Sequence, residues 1–343
     1  MLQGNRGQGL RFLRIPSQSS WVGIMLRSLC CLCLMALLCA GPAFARPDLS
    51  EPLEPTVADR GSAFYRFETL EMASLDGQRQ YRIWIATPKR AAPASGYPVI
   101  YLLDGNAALG ALEEQQLADL DERGPPLLVF VGYATELRFD VTARAYDYTP
   151  PLPGGKPVID DLARERRGGG AELFLDLLQQ KIKPQVEARA PIDPQRQSLW
   201  GHSYGGLLAL HCLFTRPQAF QNYIVADPSI WWQDGFILDE EKAFSAPAEA
   251  VRLVLLRGLG ERPRAKDDAA TAARRKAVAA VPEDAAARMA ERLAAYPGMQ
   301  VSYREFADLS HGPMLPVSLF EALRSAAGAV PNDNDNKDTA DGR

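Results

Sequence analysis

At residues 201–206 the chain carries the sequence Gly201-His202-Ser203-Tyr204-Gly205-Gly206. A serine flanked by glycines at this spacing is typical of a sharp turn between a buried strand and a buried helix. The flanking residues fit, because 196–200 predict a short strand and the apolar run 206–214 predicts a helix. We expect a side chain two residues before or after the serine to collide with the neighbouring chain, which explains the glycines. The segment therefore predicts a serine hydroxyl exposed on a tight strand-to-helix turn.

Strands and helices alternate along most of the remaining sequence. Strand patterns cover 64–72, 80–87, 97–103, 127–132, 223–226, 251–256 and 301–306. Helical patterns cover 110–121, 171–189, 267–295 with a break at Pro282, and 316–327. This alternation predicts an α/β fold with a doubly wound, mostly parallel sheet and helices on both faces. The polar and aromatic segment 133–170 is predicted to be a long functional loop.

The N-terminal region is predicted to be a secretory signal peptide covering residues 1–45. Met25 is the more plausible start, 28–40 form a short apolar run, and Ala43-Phe44-Ala45 forms a small-x-small cleavage site before Arg46. The apolar run is too short for a membrane span, which needs about 20 apolar residues, so no anchor is expected after cleavage. We expect a leader at 46–61, one α/β domain at 62–330 and a disordered tail at 331–343.

Cysteine usage and charge indicate a compartment and exclude some partners. Four of the five cysteines lie within 1–45, which leaves Cys212 alone and rules out an internal disulfide. Secretion without disulfides favours a bacterial periplasm. The first 45 residues hold four arginines and no acids, so the net charge of the rest is −8 against −4 for the whole chain. This acidity argues against a nucleic-acid partner. With three histidines in total, no metal site or cofactor is expected.

A serine hydroxyl needs an adjacent base to act as a nucleophile at neutral pH. The side chain of His202 is expected to point away from Ser203, and His211 is expected to be a packed core or surface histidine on the following helix. His311 follows the last predicted strand, between a serine and a glycine. Hydrolases with this turn place the nucleophile before the acid and the acid before the histidine. We therefore predict Ser203 as nucleophile and His311 as base.

The third member of a triad is less well determined by the sequence. Glu261 follows the strand before the last one, where the acid normally lies. Asp267, Asp268 and Asp308 are rivals, and a Ser-His dyad without an acid is the alternative. Glu261 is the predicted acid.

A tetrahedral intermediate needs main-chain donors for its oxyanion. The amide after the nucleophile, that of Tyr204, is one predicted donor. The other is predicted from the turn after the third strand, at Gly105 or Asn106. An ordinary turn at 104–106 would look the same in the sequence.

Several longer segments resemble one known branch of hydrolases. They are 81–88, 97–106 (YPVIYLLDGN), 144–150 (RAYDYTP), 200–206 (WGHSYGG) and 226–232 (ADPSIWW). These segments are similar to the esterase-D-like branch of the α/β-hydrolases, and most of all to periplasmic esterases of the siderophore trilactones enterobactin and salmochelin. The resemblance covers about residues 64–323, whereas 262–297 depart from it. It implies the same nucleophile, base and oxyanion residues, although some periplasmic members are described as dyads.

The resemblance also implies a substrate, a catecholate trilactone siderophore with or without iron. A ferric tris-catecholate is an anion with flat rings, which should attract arginines and aromatic walls. The predicted binding residues are Arg138, Arg144, Tyr146, Tyr148, Trp231 and Trp232. In the alternative, the tryptophans are core residues and the arginines pair with Asp140 and Asp147.

The prediction is a serine esterase that cleaves the ester bonds of such a siderophore and so helps iron release. A broad-specificity carboxylesterase or thioesterase on the same scaffold is a second enzymatic interpretation. A siderophore-binding protein with an inactive serine turn is a third, and labelling by a fluorophosphonate probe distinguishes it from both enzymes.

Overall fold

The computed structural model of the protein describes residues 52–155, 157–161, 165–260 and 269–328. The strands formed by these residues are β1 (Tyr65–Ala73), β2 (Gln80–Pro88), β3 (Tyr97–Leu103), β4 (Leu127–Tyr133), β5 (Val158–Asp161), β6 (Arg166–Gly168), β7 (Ile192–His202), β8 (Asn222–Ala226), β9 (Val251–Gly258) and β10 (Met299–Phe306). Eight of them form one sheet in the order β1-β2-β4-β3-β7-β8-β9-β10, and β5 and β6 form a separate pair. Only the pairs β1-β2 and β2-β4 of the large sheet are antiparallel.

Helices cover both faces of this sheet. They are α1 (Val57–Arg60), α2 (Gly105–Gly110), α3 (Glu114–Arg123), α4 (Ala143–Asp147), α5 (Ala171–Leu177), α6 (Lys183–Glu187), α7 (Tyr204–Thr215), α8 (Phe236–Ala243), α9 (Ala269–Ala279), α10 (Ala285–Ala294) and α11 (Met314–Ala326). Alternate residues of β3 belong to two different apolar clusters, one shared with α7 and the other with α11. The predicted α/β fold, with a mostly parallel sheet and helices on both faces, is therefore confirmed. Within the described residues, each helix is too short or too polar to span a membrane.

Three segments differ from the sequence-based assignment. The helix predicted at 110–121 begins at Glu114 as α3, which Glu113 caps through a reciprocal bond with Gln116, and the separate helix α2 precedes it. The predicted loop 133–170 contains α4 and the β5–β6 hairpin. The predicted helix 171–189 contains a π-helical segment, Leu178–Ile182, between α5 and α6.

His211 of α7 is buried and joins three helices. Its Nδ1 lies 2.8 Å from Glu240 Oε2 on α8, and its Nε2 lies 2.8 Å from Glu172 Oε1 on α5. Both nitrogens must donate, because carboxylates accept, so the ring is an imidazolium. Burial alone would lower the pKa of His211, but its two carboxylate partners outweigh burial and raise it. Of the two places left open for His211, core or surface, the structure shows the core, with a charged role that the sequence did not reveal.

We expect the stability contributed by His211 to depend on pH. Because its pKa is raised on folding, the contribution is complete below its ordinary pKa of about 6.5 and disappears as the pH rises through the folded-state pKa. The free energy of unfolding of the wild type, relative to that of His211→Gln, should therefore be larger at pH 6 than at pH 9. Chemical denaturation at several pH values measures this difference, and a difference independent of pH would contradict the expectation.

Candidate active site

The turn at residues 201–206 has the close packing that its glycines suggest. Ser203 has φ 61° and ψ −114°, a conformation that few residues with a side chain adopt. A Cβ atom at Gly201 would lie 2.2 Å from the carbonyl oxygen of Gly205, and one at Gly206 would lie 3.0 Å from that of Ala226. At Gly205 a Cβ would be in ordinary contact, 3.4 Å from Leu103. The predicted collision is therefore confirmed at Gly201 and wrong at Gly205.

Three residues with positive φ directly follow three neighbouring strands. They are Asp104 after β3, Ser203 after β7 and Asp227 after β8, with φ of 51°, 61° and 41°. β7 lies between β3 and β8 in the sheet, and all three strands are parallel. Their carboxyl ends consequently meet at one edge, where ligands bind in open α/β sheets.

Ser203 and His311 are in contact at this edge. His311 lies in the loop between β10 and α11, and its Nε2 is 3.1 Å from Ser203 Oγ. This distance allows the imidazole to take the proton of the hydroxyl. The predicted proximity of these two side chains, 108 residues apart in the sequence, is confirmed.

The acid beside His311 is Asp227. Its Oδ2 lies 3.3 Å from Nδ1 of His311, and its Oδ1 accepts a hydrogen bond from the amide of Gly258. Burial raises the pKa of Asp227, but the interaction with His311 and the Gly258 amide lower it more, so the side chain is a carboxylate. A carboxylate at this place can orient the imidazole and stabilise its charged form.

The sequence analysis did not single out Asp227 as the acid. Glu261, Asp267 and Asp268 lie outside the described residues, and Asp308 is exposed. Asp227 follows β8, one strand earlier than the position that pointed to Glu261. The signal was present, since an acid directly after a buried strand stands in the segment 226–232.

The predicted oxyanion donors begin two helices. Tyr204 is the first residue of α7 and Gly105 is the first residue of α2, and amides in a first helical turn have no acceptor within the helix. A Cβ at Gly105 would lie 2.7 Å from main-chain atoms of β4, so glycine is required there. The side chain of Asn106 bonds the main chain of Tyr133, which leaves only its amide for an oxyanion.

Arg144 is committed to an ion pair. Its Nε donates to Oδ1 of Asp104 at 2.7 Å, and one terminal nitrogen donates to Oδ2 at 2.7 Å. The side chain of Asp104 is almost fully buried. The guanidinium carbon also lies 5.3 Å from the ring centroid of Tyr204. Arg144 therefore connects the turn before Gly105 with the residue after Ser203, and the structure gives it a structural contact where the sequence predicted a substrate contact.

Asp160 of β5 holds the hairpin against the site. Its buried carboxylate accepts hydrogen bonds from the hydroxyl of Tyr204 at 2.7 Å and from the indole nitrogen of Trp232 at 3.0 Å, and it pairs with Arg166. Tyr204 directly follows Ser203, Trp232 lies beyond β8, and Arg166 belongs to β6 of the same hairpin. A buried carboxylate with this many donors is a stable anchor.

The remaining predicted substrate residues divide by exposure. Tyr148 and Trp232 are buried, with 0% and 2% exposure, so they lie beneath the surface of the site. Arg138, Tyr146 and Trp231 are partly exposed. The alternative in which Arg138 or Arg144 pairs with Asp147 is wrong, because Asp147 pairs with Arg79.

His202 contacts the base rather than the nucleophile. Its Nε2 lies 2.8 Å from the main-chain oxygen of His311, and the two ring centroids are 4.6 Å apart. Ring nitrogens of both histidines and an oxygen of Asp227 lie within 4.8 Å of one another, a donor set that could hold a metal ion. Each of the three residues already has a contact within a serine-hydrolase site. His202 bonds the His311 main chain, His311 contacts Ser203, and Asp227 lies beside His311.

The fold and this site define a serine hydrolase of the α/β-hydrolase class. Residues 74–307 match the model of a family described as "Putative esterase", and the chain belongs to this esterase family. It is 36% identical to the apo-salmochelin esterase of Escherichia coli O6:H1 (87% of this chain, 90% of that protein). It is 34% identical to the ferri-bacillibactin esterase BesA of Bacillus subtilis (76% of this chain, 89% of that protein). The solved structure of the enterobactin hydrolase IroE in complex with DFP is 34% identical and superposes with a TM-score of 0.64, over 80% of this chain and 99% of that one.

We expect Asp227→Asn to lower turnover by roughly 10²-fold or more, because an amide cannot stabilise the imidazolium as a carboxylate does. Glu261→Gln is the matched control and should retain wild-type turnover. Steady-state kinetics on an activated ester measures both variants. Full activity of Asp227→Asn together with loss of activity in Glu261→Gln would instead identify Glu261 as the acid.

Proposed function

We propose that the protein is a serine esterase that cleaves the ester bonds of a catecholate trilactone siderophore, with or without bound iron. The observation that carries the proposal is the 3.1 Å contact between Ser203 Oγ and His311 Nε2, at the carboxyl ends of the parallel strands, where ligands bind in open α/β sheets. Two relatives that match most of the chain are named for hydrolysis of salmochelin and ferri-bacillibactin, which supports this substrate class.

In the proposed reaction Ser203 Oγ attacks a lactone carbonyl carbon while Nε2 of His311 takes the hydroxyl proton. The amides of Tyr204 and of the Gly105–Asn106 turn would stabilise the oxyanion. His311 then gives the proton to the departing serine hydroxyl of the substrate as the ester C–O bond breaks. A water molecule, deprotonated by His311, releases the acyl group from Ser203 and restores the enzyme.

The surroundings of Ser203 fit an anionic aromatic substrate. Arg138 is partly exposed, and its buried Nε has no hydrogen-bond partner among the described residues. Trp231 is also partly exposed, and its ring lies 6.0 Å from that of Tyr204. A flat ring near Tyr204, the residue after the nucleophile, can stack on a catechol ring of such a siderophore, and Arg138 can supply a cation for its charge. Opening the trilactone removes the preorganisation of the chelator, which weakens its hold on iron.

Ser203→Ala should abolish hydrolysis of enterobactin, because the attacking oxygen is lost. Ser229→Ala is the matched control, since Ser229 Oγ lies 3.4 Å from Ser203 Oγ but 229 lacks the turn geometry. Mass spectrometry of products, with iron-loaded and iron-free enterobactin, follows the reaction. Unchanged hydrolysis in Ser203→Ala would overturn the mechanism.

A wild type that hydrolyses p-nitrophenyl butyrate but not enterobactin would favour the broad-specificity carboxylesterase, and a wild type that no fluorophosphonate labels would favour the inactive binding protein.

We also propose that the protein acts in the periplasm after removal of residues 1–45. Support comes from the basic and apolar segment after Met25 and from the small residues Ala43 and Ala45 before Arg46. A periplasmic esterase would meet the siderophore before it reaches the cytoplasm.

Expression in a Gram-negative host should yield a periplasmic protein whose first residue is Arg46. Ala45→Leu should block this processing, because the cleavage site requires a small residue at that position, whereas Phe44→Leu should be processed normally. Intact-mass measurement of the periplasmic fraction gives the N-terminus. A mature chain that still carries residues 25–45 would contradict the proposal.

A further inference from the structure

His202 occupies an unusual place beside the base. It is the last residue of β7, its side chain is buried, and it precedes Ser203 directly. Its ring packs against the ring of His311 at a centroid distance of 4.6 Å. Its Nε2 lies 2.8 Å from the main-chain oxygen of His311. The same residue therefore contacts both the ring and the backbone of the predicted base.

The hydrogen bond fixes the protonation of His202. A carbonyl oxygen only accepts, so Nε2 must carry the proton. Burial, together with the neighbouring His311, lowers the pKa of His202 to about 3. His202 is consequently neutral at physiological pH, with a proton on Nε2 and a lone pair on Nδ1. A neutral ring places no competing charge beside the imidazolium that forms during catalysis.

The hydrogen bond from His202 holds the loop that carries His311. Residues 307–313 connect β10 with α11, and His311 itself is partly exposed. The loop is bonded near its ends, by the amide of Gly260 to the oxygen of Leu309 and by the amide of Met314 to the oxygen of Ser310. His202 supplies a bond at His311 itself, from the strand that carries the nucleophile. The nucleophile and the base are thereby held to one rigid element.

We infer that His202 is a positioning residue, which donates its Nε2 proton to the His311 carbonyl and so holds the imidazole at hydrogen-bond distance from Ser203. The inference rests on the proposed roles of Ser203 and His311 but not on the siderophore. A displacement of about 1 Å at a reacting group can cost 10²-fold in rate. The defect should therefore appear in turnover while substrate affinity is maintained.

The matched variants are His202→Gln and His202→Met. Both side chains have similar length and volume, but only Gln carries an N–H at the distance of Nε2. His202→Gln should retain turnover within a few-fold of the wild type. His202→Met should lose about 10- to 100-fold in kcat with little change in KM, and about as much in the rate of labelling by diisopropyl fluorophosphate. Both should melt at similar temperatures.

Equal rates in the two variants, whether normal or impaired, would overturn the inference, because the hydrogen-bond donor would then be irrelevant. A second measurement needs no variant. The chain has three histidines, and nitrogen NMR of the ¹⁵N-histidine-labelled wild type should show one neutral Nε2–H ring that does not titrate between pH 5 and 9. A His202 ring that carries its proton on Nδ1, or that titrates in this range, would also overturn it. Labelling of the wild type without hydrolysis of enterobactin would refute the proposed substrate and leave the His202 test intact.

Discussion

The backbone conformation of Ser203 is the constraint on which the active site depends. A positive φ at a residue with a side chain costs about 1–3 kcal/mol, and the surrounding main chain offsets it. The Ser203 amide donates to the oxygen of Ala226, and its carbonyl accepts from the amides of Ser229 and Leu207, each at 3.0 Å. The turn is thus bonded to the end of β8 and to its own helix. These bonds keep the hydroxyl above the sheet edge, where an imidazole can reach it.

Buried charges extend this constraint to the segment 133–170. Arg144 pairs with Asp104 beside the first turn of α2, and Asp160 accepts from Tyr204 beside Ser203. Burying a carboxylate is costly unless several donors satisfy it. Both carboxylates meet that condition, and both bond to residues far away in the sequence. We conclude that this segment, which sequence reasoning treated as a loop for substrate contacts, also fixes the two sets of predicted oxyanion amides.

The sequence predicted those parts of the site that depend on local pattern or chain order. Ser203 follows from the glycines around it, and His311 follows from its position after the last strand. The pairing of Arg144 with Asp104 could not be predicted, because it joins residues 40 positions apart whose proximity depends on how the segment folds back. The fold class was predictable for a different reason, since buried strands such as β3 and β4 are apolar at nearly every position.

The position of the acid, directly after β8, follows from the packing of the His311 loop against the end of β9. A Cβ at Gly258 would lie 2.5 Å from the oxygen of Leu309, and one at Gly260 would lie 2.7 Å from the carbonyl carbon of the same residue. The His311 loop therefore packs against Gly258, the last residue of β9, and against Gly260 just beyond it, and the Gly258 amide bonds Asp227. With the loop pressed on this strand end, the carboxylate reaches Nδ1 from β8, which lies between β7 and β9 in the sheet. Chain order alone could not distinguish these two strands, because the choice depends on the close approach of the loop to Gly258.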